Sequence, residues 1–571
     1  MKTKFLFFAT TLLLSVTSVL AQDVITFTWQ AGIYPKDFYI QVAKGEAFTV
    51  DWGDGSDIET FTGVYGFLNV IHTYYAANNY LVTLTANTES SSFIAVNFNY
   101  KQMSNLNASG CTGLQYLYCS NNQLTSLNVS GCTRLQILYC ANNQLTSLDI
   151  SGCTGLQTLY CFNNQLTSID VSTNKALIEF SCANNLLNHL DLSNLTMLKL
   201  LFTTENQITS IELNDCEKLE TLDCSENQLK SLDVNNNKAL KSLLCSHNQL
   251  TNLNISSNTK LLELFCYNNH LSSLDVSKCK KLESLYCHDN QLTNLDLNYS
   301  ITLKELYCSS NQLTCLNARG CIRLIYLSCC NNPLSILDVG GCTRLEYLYS
   351  NNNQLTNLDI NSCKSIKDLW VYNNRLPLSD LYAASEQINT VDSKFLGSQT
   401  LLPQQVEIGD ILFSNQSVFN EIFTNYTITK DGNPAPENSY TVTDGKITFN
   451  KLGIYTVTMG NDAIVSNMFY PASVTVDLMV VDDAGVEENG ETNIRVYPNP
   501  TIGELRIEIS DMRYEISDVE IFDVFGKKLL SNHLITSSSN HLINISELPA
   551  GFYFVRIQTE KYNIIKKIVK H

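Results

Sequence analysis

Cysteine is the reactive residue with the most regular spacing in this chain, and all 20 copies lie between Cys111 and Cys363. Ten recur at one position of a 21-residue period, as Cys119, Cys140, Cys161, Cys182, Cys224, Cys245, Cys266, Cys287, Cys308 and Cys329. Eight recur at a second position, as Cys111, Cys132, Cys153, Cys216, Cys279, Cys321, Cys342 and Cys363. The residues that replace cysteine at these positions, which neither a disulfide nor a metal site would tolerate, include Thr203, Ser350, Val371, Asn174, Leu195, Asn237 and Ser300. The pattern predicts buried thiols used as small apolar fillers, with Cys315 and Cys330 unplaced.

Candidate acid, base and metal residues do not converge on a familiar catalytic pattern. The eight histidines lie outside any H-E-x-x-H motif, and the chain contains no G-x-S-x-G or phosphate-binding glycine loop. One column of the period carries Glu205, Glu226, His247 and Asp289, interrupted by Asn268, and is interpreted as a solvated strand end. We therefore predict no enzyme, no cofactor and no metal site. Calcium binding stays open for an acidic column formed by Asp149, Asp170, Asp191, Glu212, Asp233, Asp275, Asp296, Asp338 and Asp359.

The elements that must position these residues are the repeats themselves. The period begins at Leu117 and continues as Leu138, Leu159, Phe180, Leu201, Leu222, Leu243, Leu264, Leu285, Leu306, Leu327, Leu348 and Leu369. Each copy reads approximately L-x-x-L-x-C-x-x-N-x-L-x-x-L, which resembles the leucine-rich repeat, in particular the 21-residue bacterial class with Cys at the third apolar strand position. The resemblance implies a mainly β solenoid with a parallel concave sheet over residues 93–385, with about 13 full repeats and a degenerate first one.

One column of the repeat is asparagine in every full copy. An amide can satisfy buried backbone groups where the chain leaves the strand, so we predict a structural hydrogen-bonded ladder. Its members are Asn122, Asn143, Asn164, Asn185, Asn206, Asn227, Asn248, Asn269, Asn290, Asn311, Asn332, Asn353 and Asn374.

A second column should point out of the sheet and is mostly aromatic. Strand alternation puts Leu117 and Cys119 inward, so the residues between and beside them face solvent. Stacked aromatics could merely shield the sheet, but Tyr and Trp are preferred anchors of interfaces. We predict ligand binding by Tyr118, Tyr139, Tyr160, Phe202, Phe265, Tyr286, Tyr307, Tyr349 and Trp370.

The segments before and after the repeats have their own patterns. Residues 1–21 have the basic start, apolar run and small residues of a secretory signal. Residues 22–92 alternate like strands, and Val50–Ser56 with His72 resembles the PKD domain, in which Asp51, Asp54 and His72 are interpreted as turn-stabilising residues. Residues 400–481 predict an immunoglobulin-like β-sandwich, and residues 482–491 an acidic linker.

The final segment, residues 492–571, carries a second specific resemblance. Val496-Tyr497-Pro498-Asn499-Pro500, a central Phe522-Asp523-Val524-Phe525-Gly526 and a basic end appear in the order of the C-terminal sorting domain of the type IX secretion system. The resemblance implies a Bacteroidetes-type cell and export to the surface or the medium, with the secretion machinery as a partner of this domain.

Charge and hydropathy narrow the class of partner. The formal net charge of −18, without a Lys/Arg stripe, argues against nucleic acid, and no later stretch approaches a membrane span. The sequence thus predicts an exported surface protein that binds a macromolecule, first a protein in adhesion or host contact, through its concave aromatic face. A glycan ligand and a purely structural spacer are the alternatives. The ligand's identity, the oligomeric state, and anchoring as opposed to release stay open.

Overall fold

The computed structural model describes residues 22–87, 92–388 and 391–481, and, near the C terminus, 494–497, 504–509, 516–523, 527–532, 540–549, 551–559 and 563–570. The protein is mainly β, with 36% strand and 4% helix. The predicted signal and acidic linker lie outside the described residues. The chain divides into two compact units, Met1–Cys329 with Gly341–Leu345, and Cys330–Gly340 with Glu346–His571.

The first unit begins with antiparallel strands around an aromatic core. These are Val24–Ala31, Pro35–Val42, Ala47–Asp51, Glu59–Thr62, Leu68–Thr73 and Asn78–Ala86. Val24–Ala31 pairs with Asn78–Ala86, which also pairs with Ala47–Asp51, while Pro35–Val42 pairs with Leu68–Thr73 in a second sheet. The alternation buries Phe27, Trp29 and Phe38 completely, so period-2 patterning organises this region.

The repeats of the first unit form a parallel β-solenoid. Each coil contributes one three-residue strand with its central Leu or Phe buried, and equivalent residues of neighbouring coils pair, as Leu117 does with Leu138. A coil cannot bury these side chains alone, so stacking supplies the core. The strands are Tyr116–Tyr118, Ile137–Tyr139, Thr158–Tyr160, Glu179–Ser181, Leu200–Phe202, Thr221–Asp223, Ser242–Leu244, Glu263–Phe265, Ser284–Tyr286, Glu305–Tyr307 and Tyr326–Ser328, with Ser126–Asn128 and Cys315–Asn317 on the return side.

The degenerate first repeat joins the two parts of this unit. Its strands, Phe93–Asn97 and Met103–Asn107, each pair antiparallel with an N-terminal strand and parallel with a solenoid strand. Lys101 stands where later repeats have Asn, and its Nζ lies 2.9 Å from Asp37 Oδ1. The first coil therefore covers the edges that an open solenoid would expose.

The second unit begins with repeat strands, and its parallel strands continue beyond residue 385, the predicted end of the solenoid. Its strands are Ile336–Asp338, Tyr347–Tyr349, Asp368–Trp370 and Lys394–Phe395, the last pairing parallel with Leu369 and Trp370. The helix Leu378–Gln387, which the sequence did not predict, comes between them. The parallel ladder therefore runs past the predicted solenoid end at residue 385, because a longer coil returns to the same sheet.

The region after the repeats contains short strands and three 3-10 turns. Gly453–Gly460 is central, pairing antiparallel with Asn425–Lys430 and Ser473–Val481 over buried Tyr455 and Val457. Its other strands are Ser398–Thr400, Gln404–Glu407, Val418–Phe419, Ile422–Phe423, Asn433–Pro434, Tyr440–Thr443 and Lys446–Phe449, with turns Val391–Ser393, Ser414–Gln416 and Glu437–Ser439. The immunoglobulin-like assignment stays a prediction.

The C-terminal region forms two antiparallel sheets around an aliphatic core. The strands are Ile494–Tyr497, Glu504–Ile509, Ile516–Phe522, Lys528–Asn532, Asn540–Asn544, Gly551–Thr559 and Asn563–Lys570. Leu505, Ile507, Val519 and Val555 are among the buried residues of this core. Among the described residues, no helix is long and apolar enough to cross a membrane.

Candidate ligand-binding face

Each coil leaves its strand through a turn held by the asparagine ladder. In the coil of Asn227, the side-chain Oδ1 accepts the Ile208 N–H of the preceding coil at 2.9 Å. Its Nδ2 donates to the Thr203 carbonyl at 3.0 Å and to the Cys224 carbonyl at 3.2 Å. The same geometry recurs at Asn143 and Asn269. This amide supplies both polarities that the buried turn needs, which holds the strand ends in register.

After the last repeat, glutamine performs this role. Gln399 is fully buried, and its Oε1 accepts the Asn374 N–H at 3.1 Å while its Nε2 donates to the Val371 carbonyl at 3.0 Å. Its spacing from Asn374 is 25 residues instead of 21, so the period could not reveal it.

The two cysteine columns lie in the solenoid interior. All 18 column cysteines are buried, whereas Cys315 is exposed and Cys330 is half-buried. Several thiols approach carbonyls of the adjacent coil, with Cys132 Sγ 3.1 Å from Ala108 O. Burial raises the pKa of the Cys140 and Cys182 thiols to about 12, so they stay protonated at neutral pH.

The aromatic column forms stacks on the outward side of the strands. In the first unit, Tyr118, Tyr139 and Tyr160 have successive ring centroids 5.3 and 4.7 Å apart. Phe265, Tyr286 and Tyr307 form a second stack, with centroids 4.2 and 4.3 Å apart. Phe202 lies apart, because its paired neighbours are Ser181 and Asp223. In the second unit, the rings of Tyr349 and Trp370 lie tilted by 52° with their centroids 5.0 Å apart.

The sequence placed these rings in solvent, but all nine are half-buried. The physical reason is that parallel strands in register bring identical side chains to stacking distance, so each ring covers part of the next. Strand alternation also predicts an outward direction for three serines, but the structure buries them: Ser120, Ser181 and Ser328.

On three coils, the carboxylate two residues before the aromatic column accepts the tyrosine hydroxyl of the preceding coil. Tyr160 donates to Glu179 at 2.7 Å, and Tyr286 donates to Glu305 at 2.7 Å. Burial, with these hydrogen bonds, raises the pKa of both tyrosines. Sequence reasoning missed these glutamates. Their signal was present, since a residue two places before the aromatic one shares its face.

The column of Glu205, Glu226, His247 and Asp289 occupies a strained backbone position. These four residues have φ of 54°, 52°, 51° and 53°, in the left-handed region. Five other coils of the first unit place Asn there, as at Asn121 (φ 59°), and one places Ser310 (φ 53°); Asn is the non-glycine residue that tolerates this region best. All four side chains are exposed. The column is therefore a turn position with unfavourable substitutions, a feature that often accompanies function.

An aromatic and imidazole cluster lies beside the second stack. Tyr267 stacks on His288 with centroids 4.4 Å apart, and His247 meets Tyr267 edge-on at 5.1 Å. Burial lowers the pKa of His288, which favours the neutral imidazole. Within the described residues, buried His288 Nδ1 has no hydrogen-bond partner.

The acidic column on the return side acts within its own turns. Asp149 Oδ1 accepts the Ser151 N–H at 3.0 Å, and Asp170 and Asp191 repeat this contact with the second residue ahead. In the N-terminal region, Asp51 accepts the Gly53 N–H and Asp54 accepts hydrogen bonds from Ser56. No group of three His, Cys, Asp or Glu side chains arranged for a metal occurs in the described part of the chain.

Comparison with known proteins identifies both repeated and terminal modules. The leucine-rich repeat family, as two repeat copies, matches residues 112–152 and 133–174, and the secretion system C-terminal sorting domain matches residues 495–571. No curated protein matches the chain.

Two solved structures illustrate the likeness of the solenoid. The functional domain of InlJ from Listeria monocytogenes, which includes a cysteine ladder, is 27% identical with a TM-score of 0.53, covering 68% of this chain and 90% of that one. YopM from Yersinia pestis, a leucine-rich effector protein, is 27% identical with a TM-score of 0.42, covering 49% and 78% respectively. The sorting domain indicates secretion, with release or attachment to the outer surface in Bacteroidetes. The chain is therefore a secreted leucine-rich repeat protein with a type IX secretion C-terminal sorting domain.

Proposed function

We propose that this secreted protein binds a protein ligand through the outward strand face that carries the aromatic stacks, in adhesion or host contact. The observation that carries the proposal is the stack of Phe265, Tyr286 and Tyr307, which keeps three half-exposed rings side by side. Preassembled aromatic rings lose little side-chain entropy on binding, and Tyr is a preferred interface anchor.

The proposal includes the absence of catalysis. The acid and base candidates near the face are His247 and His288, which pack against the Tyr267 ring, and Asp289, which lies 3.8 Å from His288; we interpret these contacts as packing. The PKD-like assignment of residues 22–92 belongs to the same proposal, as a module that holds the solenoid away from the cell.

A double substitution tests the role of the face. The full chain is screened against arrays of surface proteins and of glycans, and the hit is measured again with Tyr286→Ala/Tyr307→Ala. Truncated anchors typically cost about 2 kcal/mol or more each, so capture should fall below detection. Tyr299→Ala is the matched control, because Tyr299 is 58% exposed and lies outside the stacks. Retained capture by the double variant, with an unchanged thermal transition, would refute the proposal.

A glycan is the second candidate, supported by the pairing of rings with carboxylates. Glu179 and Glu305 lie within hydrogen-bond distance of stacked tyrosines, so rings that pack on a sugar and oxygens that accept its hydroxyls occur together. The glycan array separates this candidate from the first.

A further inference from the structure

We propose that the ligand is a basic protein segment, whose arginine or lysine side chains stack on Phe265, Tyr286 and Tyr307 and pair with the carboxylates around them. This inference rests on the proposed function and deepens it by naming the ligand's chemistry.

The charged residues of the face all have the same sign. Four positions of each coil face outward in the first unit, namely those of Tyr116, Tyr118, Ser120 and Asn121, and across all its coils they include no lysine and no arginine. They do include seven carboxylates, Glu179, Glu205, Asp223, Glu226, Glu263, Asp289 and Glu305. A face with one sign of charge attracts a partner of the opposite sign.

Two of these carboxylates, Glu263 and Glu305, are not neutralised by a cationic side chain among the residues that the structure describes. Glu305 accepts the Tyr286 hydroxyl and Glu263 accepts the Ser242 hydroxyl at 2.9 Å, and both donors are neutral. The neighbouring column contains three lysines in the first unit, Lys199, Lys241 and Lys304, and two of them pair with glutamates of the same column, Lys241 with Glu220 at 2.5 Å and Lys304 with Glu283 at 2.6 Å. No lysine or arginine in the described ranges lies within ion-pair distance of Glu263 or Glu305, so their charge remains for a ligand.

The strained turn column supplies an independent observation. Glu205 and Glu226 hold left-handed φ at positions where Asn would be less strained, at a cost of about 1 kcal/mol each. Glu205, Glu226 and His247 lie on three consecutive coils before the coil of Phe265, which has Asn268, and the coils of Tyr286 and Tyr307 have Asp289 and Ser310. Folding alone favours Asn here, so exposed carboxylates kept against this preference indicate a role for the side chains.

The stack and its surroundings suit a guanidinium or ammonium group. Tyrosine faces attract cations, and a planar guanidinium can stack on a ring while it donates to a carboxylate. Beside the stack, the lowered pKa of His288 keeps this imidazole neutral, so it does not repel a cation. An anionic ligand would instead meet seven like charges.

The experiment uses the full chain with a short fluorescent arginine homopeptide as the probe, and a citrulline homopeptide of equal length as its neutral counterpart. The test variant is Glu263→Gln/Asp289→Asn/Glu305→Gln, in which Gln keeps an acceptor and Asn restores the residue common in that column. The control, Asp149→Asn/Asp170→Asn/Asp191→Asn, removes the same charge from the return-side turns, where Asn128 and Asn254 occur naturally. Thermal unfolding verifies that both variants fold.

We expect the arginine peptide to bind, the citrulline peptide to bind at least about tenfold more weakly, and the affinity to fall steeply between about 0.05 and about 0.5 M salt. The test variant should weaken arginine-peptide binding about tenfold, and the control variant should not. If both variants weaken arginine-peptide binding equally, the binding depends only on the net charge of the protein. If the citrulline peptide binds as tightly as the arginine peptide, charge has no role. Either result overturns the inference. If a captured natural ligand is lost in Tyr286→Ala/Tyr307→Ala but kept in the test variant, the proposed function stands and the basic-ligand inference fails.

Discussion

Buried amides carry a large share of the stability of each coil. The Asn227 side chain makes four hydrogen bonds to backbone groups, at Ile208 and Thr203 of the preceding coil and at two residues of its own coil, and it is only 9% exposed. An apolar replacement leaves those groups buried without partners, at about 1 to 3 kcal/mol per group.

We therefore expect Asn227→Ala to lower the free energy of unfolding by about 3 kcal/mol, as measured by urea denaturation. Asn236→Ala is the control on the same coil, because Asn236 is exposed, and it should change stability by less than about 0.5 kcal/mol. Equal losses in the two variants would show that the ladder adds nothing beyond the rest of the coil.

At Glu226 we expect stability and binding to move in opposite directions. Glu226→Asn relieves a side chain poorly suited to φ of 52°, so the midpoint of urea unfolding should rise, by about 1 kcal/mol in free energy. The same change removes one carboxylate of the face and should weaken the arginine peptide. Asn268→Glu offers the converse comparison. An unchanged or lower midpoint for Glu226→Asn would contradict the strain argument.

Asp54 gives the N-terminal region an acid-sensitive contact. Partial burial opposes its ionisation, but hydrogen bonds from Ser56 and His72 lower the pKa of Asp54 to about 2. A carboxyl with a lowered folded-state pKa adds stability that is complete above its ordinary pKa of about 4 and is lost as the pH falls to about 2.

We expect that in Asp54→Asn the free energy of unfolding of this region depends less on pH between about pH 4 and about pH 2. Trp52 stacks on His72 at 4.5 Å, so tryptophan fluorescence in a Trp370→Phe background reports the change. Asp57→Asn is the control, because Asp57 is exposed. A pH profile that Asp54→Asn leaves unaltered would refute this role.

At the scale of the element, the cysteine columns behave as part of the core. Equivalent thiols on parallel strands point the same way, which disfavours the torsion near 90° that a disulfide needs. Burial also raises their pKa, as at Cys153, to about 12, so they form little of the reactive thiolate.

Thiol titration should therefore find little reaction in the native protein beyond exposed Cys315, and most of the 20 thiols after denaturation without reductant. Cys315→Ser should remove the fast native reaction. A titre near zero after denaturation would establish a disulfide framework instead.

At the scale of the whole molecule, the terminal sorting domain should be dispensable for folding and binding. It has an aliphatic core of its own, which includes Leu505, Val519 and Val555. A chain ending at residue 491 should accumulate in the periplasm of a type IX host, with its thermal transition and ligand capture intact. Fractionation of the cells checks this, with the full chain as the control. Surface display of the shortened chain would contradict the assignment.

The sequence predicted the repeat, its inward columns and the terminal sorting domain, because each depends on residue spacing along one chain. It did not predict the helix Leu378–Gln387 or the coil that ends in Gln399, since an insertion breaks the period there. In the candidate face it named the rings and missed Glu179 and Glu305. The 21-residue spacing that begins at Leu117 predicts which residues share a face, but it does not predict which of them are in contact.

By itself, then, the sequence determined a 21-residue solenoid in which Leu, Cys and Asn columns form the interior, because a strict period and strand alternation leave one arrangement that buries them. Only the tertiary structure decided that the aromatic rings are half-buried in stacks, that carboxylates receive their hydroxyls, and that Glu205, Glu226 and His247 occupy a left-handed turn. These features depend on contacts between coils and on backbone φ values, and neither is encoded by spacing alone.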